Sequence, residues 1–507
     1  MQSSEAEPDG GSGSDPEIRP WAALWSMVLG FFMILVDTTI VSVANPSIMA
    51  ALDTTMTATL WATSAFLLAY AVPLLITGRL GDRFGPRRLY LSGLTVFTLA
   101  SLACGLSPTI EALIAARVFQ GLGAAMLTPQ TMAVITRIFP PRTRGSAMSI
   151  WGVTAGVATL VGPILGGFLL GAAGWEWIFF VNVPVGVVAF VLAFRYVPRL
   201  DTRAHRFDWF GVALSALGMF LLVFGLQEGE SFAWGVIWGP ITVWGLILSG
   251  LAVLAVFVWW QRAQRGEPLL PLRLFRDRNF SVGAATITLV GLGVNAMSLP
   301  LMFHFQLVRG LTPSQAALLM VPMAILSLLL ARPVGRFVDR RDGRRLATLG
   351  LLLHAVGLAL YLLLMIWETP IGWLLVPSAV LGFANSFMWG PLASITTYGL
   401  SPSLAGAGSG VYNTNRQVGA VLGAAAMAAL MQARLTAELG AAAGAAGLTE
   451  GDGSAGALPE SMRAGFAAAM AQSLLLPIAA MLLGMAVTLL FRPRPPATRS
   501  VPIVTPG

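Results

Sequence analysis

Fourteen runs of roughly 20 apolar residues follow one another along this 507-residue chain, separated by short polar stretches. About 20 helical residues carry a backbone across the roughly 30 Å hydrocarbon layer of a bilayer. Inside lipid, a helix is one of only two ways to satisfy every backbone N–H and C=O. The runs fall at roughly 21–47, 57–78, 88–106, 110–136, 146–171, 177–197, 207–226, 237–260, 280–308, 313–333, 346–366, 371–397, 407–434 and 465–491. The expectation is an all-α membrane protein with 14 spans. Composition agrees: 11% of residues are charged, against about 25% in soluble proteins. Residues 1–18 are Gly/Ser-rich with Glu5, Glu7, Asp9, Asp15 and Glu17. That is the opposite of the positive start of a signal peptide, so residues 1–20 read as a disordered tail and the first span as retained.

The net charge of +8 would suggest nucleic acid in a soluble protein. Here the 31 basic residues, all Arg, cluster in loops between spans and report topology instead. With the N-terminus in the cytoplasm, 26 Arg fall on that side, Arg309, Arg434 and Arg463 outside, and Arg117 and Arg416 within spans. The acids Asp53, Glu111, Glu176, Glu228, Glu230, Glu368, Glu438, Glu450, Asp452 and Glu460 all fall outside. Both termini are therefore expected to be cytoplasmic, in a cell (inner or plasma) membrane. The single Cys104 excludes an internal disulfide and a thiolate metal cluster. No GxxxxGK[ST] occurs, and without Lys none could; GxSxG and HExxH are also missing. The expectation is no enzyme, cofactor, metal or nucleic acid, and energy drawn from a gradient.

Two stretches repeat 257 residues apart: Gly78-Arg-Leu-Gly-Asp82-Arg83-Phe-Gly85-Pro-Arg87-Arg88 and Gly335-Arg-Phe-Val-Asp339-Arg340-Arg-Asp-Gly-Arg344. Gly, Asp and Arg recur at the same offsets, each copy in a tight loop between apolar runs. A duplicated charged hairpin implies two related halves, an architecture of secondary transporters. The halves are a six-helix bundle at 21–200 and another at 266–495, the latter with an external loop at 435–464. Between them sits a two-helix insertion at 201–265, and 496–507 is a tail. Asp82 could pair with a nearby Arg or cap a helix, making the hairpins latches at a cytoplasmic gate. A topology signal alone would need only Arg.

Asp37 is the one carboxylate deep in a span. Low dielectric disfavours its charged form, and an acid that exchanges between forms can carry a proton. The alternative is an acid that only hydrogen-bonds a neighbour. Arg117 must likewise face the interior; it either approaches Asp37 or braces backbone carbonyls. The fifth run carries Gly152, Gly156, Gly162, Pro163, Gly166 and Gly167, a spacing that lets another helix approach closely, with a Pro that bends it. In the thirteenth, the polar row with Asn413, Arg416 and Gln417 could gate or bind an anionic group. Met33, Phe303, Phe387, Met388 and Trp389, chosen by depth, are candidate cavity liners. His304 and His354 read as hydrogen-bonded core residues, and Trp21, Trp25, Trp175, Trp177, Trp259, Trp260 and Trp373 as an interfacial belt.

At these residues the chain resembles the major facilitator superfamily, specifically its 14-helix drug:proton antiporter branch. The hairpins are similar to that family's loop 2–3 motif and its echo. Arg117–Gly123 resembles the helix-four motif, Gly152–Gly167 the helix-five antiporter motif, and Asp37 with Asn45-Pro46 the helix-one motif. Trp175–Gly186 is similar to a helix-six stretch of the same branch. The resemblance implies a monomeric proton-coupled exporter of hydrophobic or monocationic drugs, working by alternating access, with Asp37 and Arg117 in proton coupling. Glu176 departs from the Arg of many relatives, and the tenth run lacks the deep acid of dication exporters. A dedicated exporter of one antibiotic, metabolite or lipid is the main alternative. A proton-linked importer or a non-transporting sensor fits the motifs less well.

Overall fold

The computed structural model describes residues 19–493 other than 55, 203–207, 230–231, 265–267, 341, 368, 402–403 and 440–459. Both expected tails, most of the 435–464 loop, and the acids Glu230, Glu368, Glu450 and Asp452 thus lie outside the described residues. The first part of the chain forms α1 (Pro20–Ala51), α2 (Met56–Ala71), α3 (Leu74–Phe84), α4 (Pro86–Gly105), α5 (Ile110–Ile138), α6 (Pro141–Ala173), α7 (Trp177–Phe180) and α8 (Asn182–Tyr196). An inserted pair follows, α9 (Trp209–Gln227) and α10 (Val243–Ala263). The last part comprises α11 (Arg278–Ala296), α12 (Ser298–Phe303), α13 (Pro313–Leu318), α14 (Val321–Arg340), α15 (Arg344–Ile366), α16 (Leu375–Thr397), α17 (Ala405–Leu439), α18 (Glu460–Ser473) and α19 (Leu475–Thr488).

Every one of the expected apolar runs falls on helix. Among the described residues, 12 helical segments are long and apolar enough to cross a membrane. A bent pair, Trp61–Ala71 with Leu74–Phe84, adds a thirteenth at an angle of 46°. The remaining run is α6, a 33-residue helix that continues through Pro163. Proline begins α1, α4 and α6, where its missing N–H costs nothing.

Two local expectations need correction. The eighth apolar run starts at 237, but Val236–Trp238 and Ile241–Thr242 pair as a short antiparallel hairpin, and helix begins only at Val243. Gly239 supplies the left-handed turn residue, with φ 54°. The repeated motifs, read as loops, are mostly helical: Gly78–Phe84 belongs to α3 and Gly335–Arg340 to α14. Only at Gly85, φ 92°, does the first copy turn sharply before Pro86 restarts a helix.

The two repeats meet along crossed partners. α6 packs on α1 within its own half and on α14 and α16 of the other, while α17 packs on α11 and across on α3 and α5. Their shared core includes Phe31 stacked on Trp151 at 5.2 Å, together with Met388, Trp389 and Tyr412. Trp21, Trp25, Trp177, Trp259 and Trp373 are exposed, as an interfacial belt requires, but Trp175 is buried against Phe179. His304 and His354 are buried without a hydrogen-bond partner on either ring nitrogen, contrary to expectation.

The insertion is stapled by one carboxylate. Asp208 caps α9 through Gly211 N at 2.8 Å and reaches α10 through Trp260, Gln261 and Gln264 at 3.1, 2.7 and 2.9 Å. Burial pushes its pKa up, but the bonds from Gly211, Gln261, Trp260 and Gln264 outweigh that and hold it below the ordinary 3.8. A depressed folded pKa contributes stability above the unfolded value that disappears as pH falls through the folded one. Asp208→Asn is therefore expected to lower the melting temperature in detergent at pH 7, with the difference from the parent shrinking below about pH 4. Melting curves of both proteins from pH 3 to 7 test it, and a pH-independent difference would contradict the assignment.

Candidate functional site

A closed polar centre lies midway along α1. Asp37 and Arg117 are both 0% exposed, and Arg117 Nη1 donates to Asp37 Oδ2 at 2.5 Å. Gln120 Nε2 and Asn182 Nδ2 each donate to Asp37 Oδ1 at 2.9 Å. Asp37 thus accepts from three donors, one on Oδ2 and two on Oδ1. Ser101 Oγ backs the centre by accepting from Gln120 at 2.6 Å and Asn182 at 3.2 Å. Arg117 Nη1 also reaches Gln120 Oε1 at 2.6 Å, and its Nε donates to the Ala62 carbonyl at 3.2 Å. The Phe66 ring lies 4.1 Å from the guanidinium carbon, a cation–π contact in a dry site. Arg117 therefore does both things the sequence left open: it pairs with Asp37 and it braces a backbone carbonyl. Removing one partner of such a buried pair costs about 3–5 kcal/mol, because the survivor is left uncompensated.

α6 packs against α1 next to this centre. A Cβ on Gly162 would lie 1.9 Å from Thr39 Oγ1 and 3.2 Å from the Val36 carbonyl, the residues flanking Asp37 on α1. Lower on the same helix, a Cβ on Gly152 would lie 2.6 Å from Trp389 Cβ on α16 of the other repeat. α6 therefore connects the environment of Asp37 to the opposite half through contacts only glycine permits. Pro163 and Gly166 follow on α6 with Gly167, and Gly156 lies between the two contact points.

The repeated motifs form two crossed caps on the arginine-rich side. Asp82, at the end of α3, accepts from Gly406 N at 3.1 Å and Ala407 N at 3.0 Å, in the first turn of α17. Asp339, near the end of α14, accepts from Gly145 N at 2.6 Å and from Ser146 N and Oγ at 3.2 and 2.5 Å, in the second turn of α6. Each carboxylate sits near the positive end of a helix from the other repeat, and Asp82 takes first-turn N–H groups that have no intrahelical carbonyl to reach. Close glycines accompany each: a Cβ on Gly78 would meet the Gly406 carbonyl at 2.7 Å, and one on Gly335 would meet Ser146 Cα at 2.5 Å.

The motif arginines do other work. Arg79 lies 3.9 Å from Asp82. Arg87 donates to the Phe194 carbonyl, and Arg344 to the Phe491 carbonyl at 3.1 Å, both within a single repeat. Arg83 lies over the Phe84 ring, and Arg88 and Arg340 are exposed. Asp and Gly make the crossings onto α17 and α6, and of the motif arginines Arg79 joins them, with Nη2 donating to the Pro268 carbonyl at 2.5 Å.

The depth-chosen liners separate. Met388 and Trp389 join the core shared by the two repeats. Met33 instead packs inside the first repeat, Phe303 is 42% exposed on the perimeter, and Phe387 lies beside the exposed Phe383. Depth does not distinguish these environments, because a span that is apolar all round carries no signal for which face meets lipid. On α17, Asn413 is buried with Nδ2 on the Ser409 carbonyl at 2.9 Å, Gln417 is buried, and Arg416 Nη2 donates to Tyr70 Oη at 3.3 Å. Gln120, Asn182, Ser101, Phe66 and Tyr70 received no role from the sequence. Isolated polar residues in apolar runs, as Gln120 and Asn182 are, were the available signal.

The family profile described as Major Facilitator Superfamily matches residues 27–424. The chain belongs to that superfamily. An uncharacterised MFS-type transporter of Mycobacterium tuberculosis is 50% identical over 479 residues, 94% of this chain and 82% of the relative. A probable actinorhodin transporter of Streptomyces coelicolor is 35% identical over 429 residues, 82% of this chain and 73% of the relative. Among solved structures, a major facilitator superfamily proton:xylose symporter with a bromodeoxyglucose bound aligns with a TM-score of 0.60 at 13% identity, covering 92% of this chain and 94% of that one. The major facilitator fold places the crossed caps between its two halves. Membership makes this chain a multi-pass membrane transporter of small molecules rather than an enzyme.

Proposed function

We propose that this protein is a proton-coupled antiporter that exports hydrophobic small molecules, drugs or antibiotics among them, by alternating access. One observation carries the reading: the only deep carboxylate among the described residues, Asp37, is closed on Arg117 at 2.5 Å beside the glycine contact of α6. Protonating Asp37 would remove the negative partner from Arg117 and change the packing of α1 on α6, which itself leans on the other half. Proton entry would thus be converted into movement of one repeat against the other. In the latched form, Asp82 and Asp339 hold the cytoplasmic ends together; breaking both caps would open the inner gate. The halves are 21–200 and 266–495, with 201–265 as a lateral pair, α6 as the fourteenth crossing, and both termini cytoplasmic. The protein would act as a monomer in the cell membrane.

A monocationic substrate fits this arrangement poorly, because Asp37 is already occupied by Arg117 and no second deep acid is described. Neutral and acidic amphiphiles fit better. Similarity to the probable actinorhodin transporter of Streptomyces coelicolor supports a second reading, a dedicated exporter of one antibiotic. Everted vesicles with an acid interior test the core proposal. Adding a transported amphiphile should partly collapse the pH gradient in vesicles carrying this protein and not in vesicles without it. A broad panel of dyes and antibiotics that never moves the gradient would overturn the proposal, while a response to one compound class only would select the dedicated exporter.

A further inference from the structure

We infer that Arg416 is the counter-charge for the acidic group of an anionic amphiphile, and that α2 connects this charge to the Asp37–Arg117 centre. The inference rests on the export reading above. Arg416 lies 11 residues into α17, about 16 Å along it at 1.5 Å per residue. It is therefore deep, yet no carboxylate lies within ion-pair distance of it among the described residues. Its Nη2 meets the Tyr70 hydroxyl of the other repeat at 3.3 Å, and its Nε is buried with no partner. One turn earlier on α17, the Tyr412 hydroxyl and Asn413 Oδ1 are also buried and unpartnered. Arg117 spends hydrogen bonds on Asp37, Gln120 and the Ala62 carbonyl, with only Nη2 left over, whereas Arg416 makes one, to an uncharged hydroxyl. Arg416 instead keeps an unfilled fork at the seam between the halves, the geometry that accepts a carboxylate, sulfonate or phenolate.

The same seam leads to the proton site. Ala62, Phe66 and Tyr70 occupy successive turns of one α2 face. The Ala62 carbonyl accepts from Arg117 Nε, the Phe66 ring lies under the Arg117 guanidinium, and the Tyr70 hydroxyl meets Arg416. Tyr70 also shares a hydrogen bond of 3.0 Å with Thr128 on α5. An anion on Arg416 competes with the Tyr70 hydroxyl and frees the α2 face that holds Arg117. Substrate binding and rearrangement at Asp37 are then linked through one rigid element.

The charge balance makes this testable. One proton entering as one monoanion leaves carries two positive charges inward per cycle, whereas exchange of a proton for a monocation carries none. The full-length protein in everted vesicles is assayed with 2-naphthalenesulfonate, a monoanionic aromatic probe, and with ethidium, a monocationic one. We expect uptake of the sulfonate, accelerated by a lumen-negative potential being replaced with a lumen-positive one. Arg416→Gln should weaken its apparent affinity roughly ten- to a hundredfold, the loss of a charge-assisted contact, and Arg416→Lys should recover part of it. Thermal melting checks that the variants fold. Equal losses for both probes, or preference for ethidium with no response to potential, would overturn the anion assignment while leaving export intact. Gradient-independent movement of every probe would instead strike at the export reading, and the inference with it.

Discussion

Everted vesicles carrying Asp37→Asn are expected to accumulate substrate only to equilibrium. With a pH difference of two units, one proton per cycle sustains roughly a hundredfold accumulation; the variant should fall to about one. The reason is specific to the site. Asp37 accepts from Arg117, Gln120 and Asn182, so an asparagine amide group would face a donor on at least one side and could neither accept nor release the proton. Because Arg117 would be left uncompensated at a cost of about 3–5 kcal/mol, the single variant could also lose its fold. The Asp37→Asn/Arg117→Gln double variant removes both charges and should fold with near-parental melting behaviour while remaining uncoupled. Uphill accumulation by either variant, driven by the pH difference, would refute Asp37 as the proton carrier.

Gly78→Leu is expected to hold the arginine-rich face open. A Cβ there would sit 2.7 Å from the Gly406 carbonyl and 2.9 Å from Gly410 Cα, backbone atoms that yield only if α17 moves away. Overpacking of this kind costs about 1–3 kcal/mol, and here the cost applies only to the latched form. The ratio of latched to open forms should fall roughly ten- to a hundredfold, and turnover should fall with it. Ser409 on α17 is buried in the latched form, and the single native cysteine, Cys104, is buried. Labelling of Ser409→Cys by a water-soluble maleimide should therefore rise in the Gly78→Leu background. Gly335→Leu should act alike, since its Cβ would meet Ser146 Cα at 2.5 Å. Asp82→Ala and Asp339→Ala should have smaller effects, of the order of a lost helix cap at about 0.5–2 kcal/mol each. Unchanged labelling and full transport in both glycine variants would show that the two crossings are not gates.

What was legible in the sequence was local chemistry. A deep Asp or Arg stands out against apolar neighbours because lipid tolerates so few, and the Asp–Arg–Gly repeat stands out because it occurs twice. From sequence alone the repeat still reads as a loop, since charge and glycine normally end a helix. Their polar atoms are instead satisfied by the other repeat, which allows α3 and α14 to continue. The eighth run began late for the opposite reason: Gly239 and Pro240 make a turn that overrides apolar character.

The sequence by itself determined where apolar helices run, that the chain holds two related halves, and which charges must be buried for a purpose. Hydrophobic length and charge rarity are properties of a single segment, so they survive without any fold. Only the tertiary structure decided the partners. Asp37 meets Arg117 across 80 residues of chain, Asp339 meets Gly145 across 194, and Asp82 meets Gly406 across 324. In spans that are apolar on every side, no periodic pattern says which face turns inward. That choice is made by close glycine contacts and by the few polar groups that must find one another.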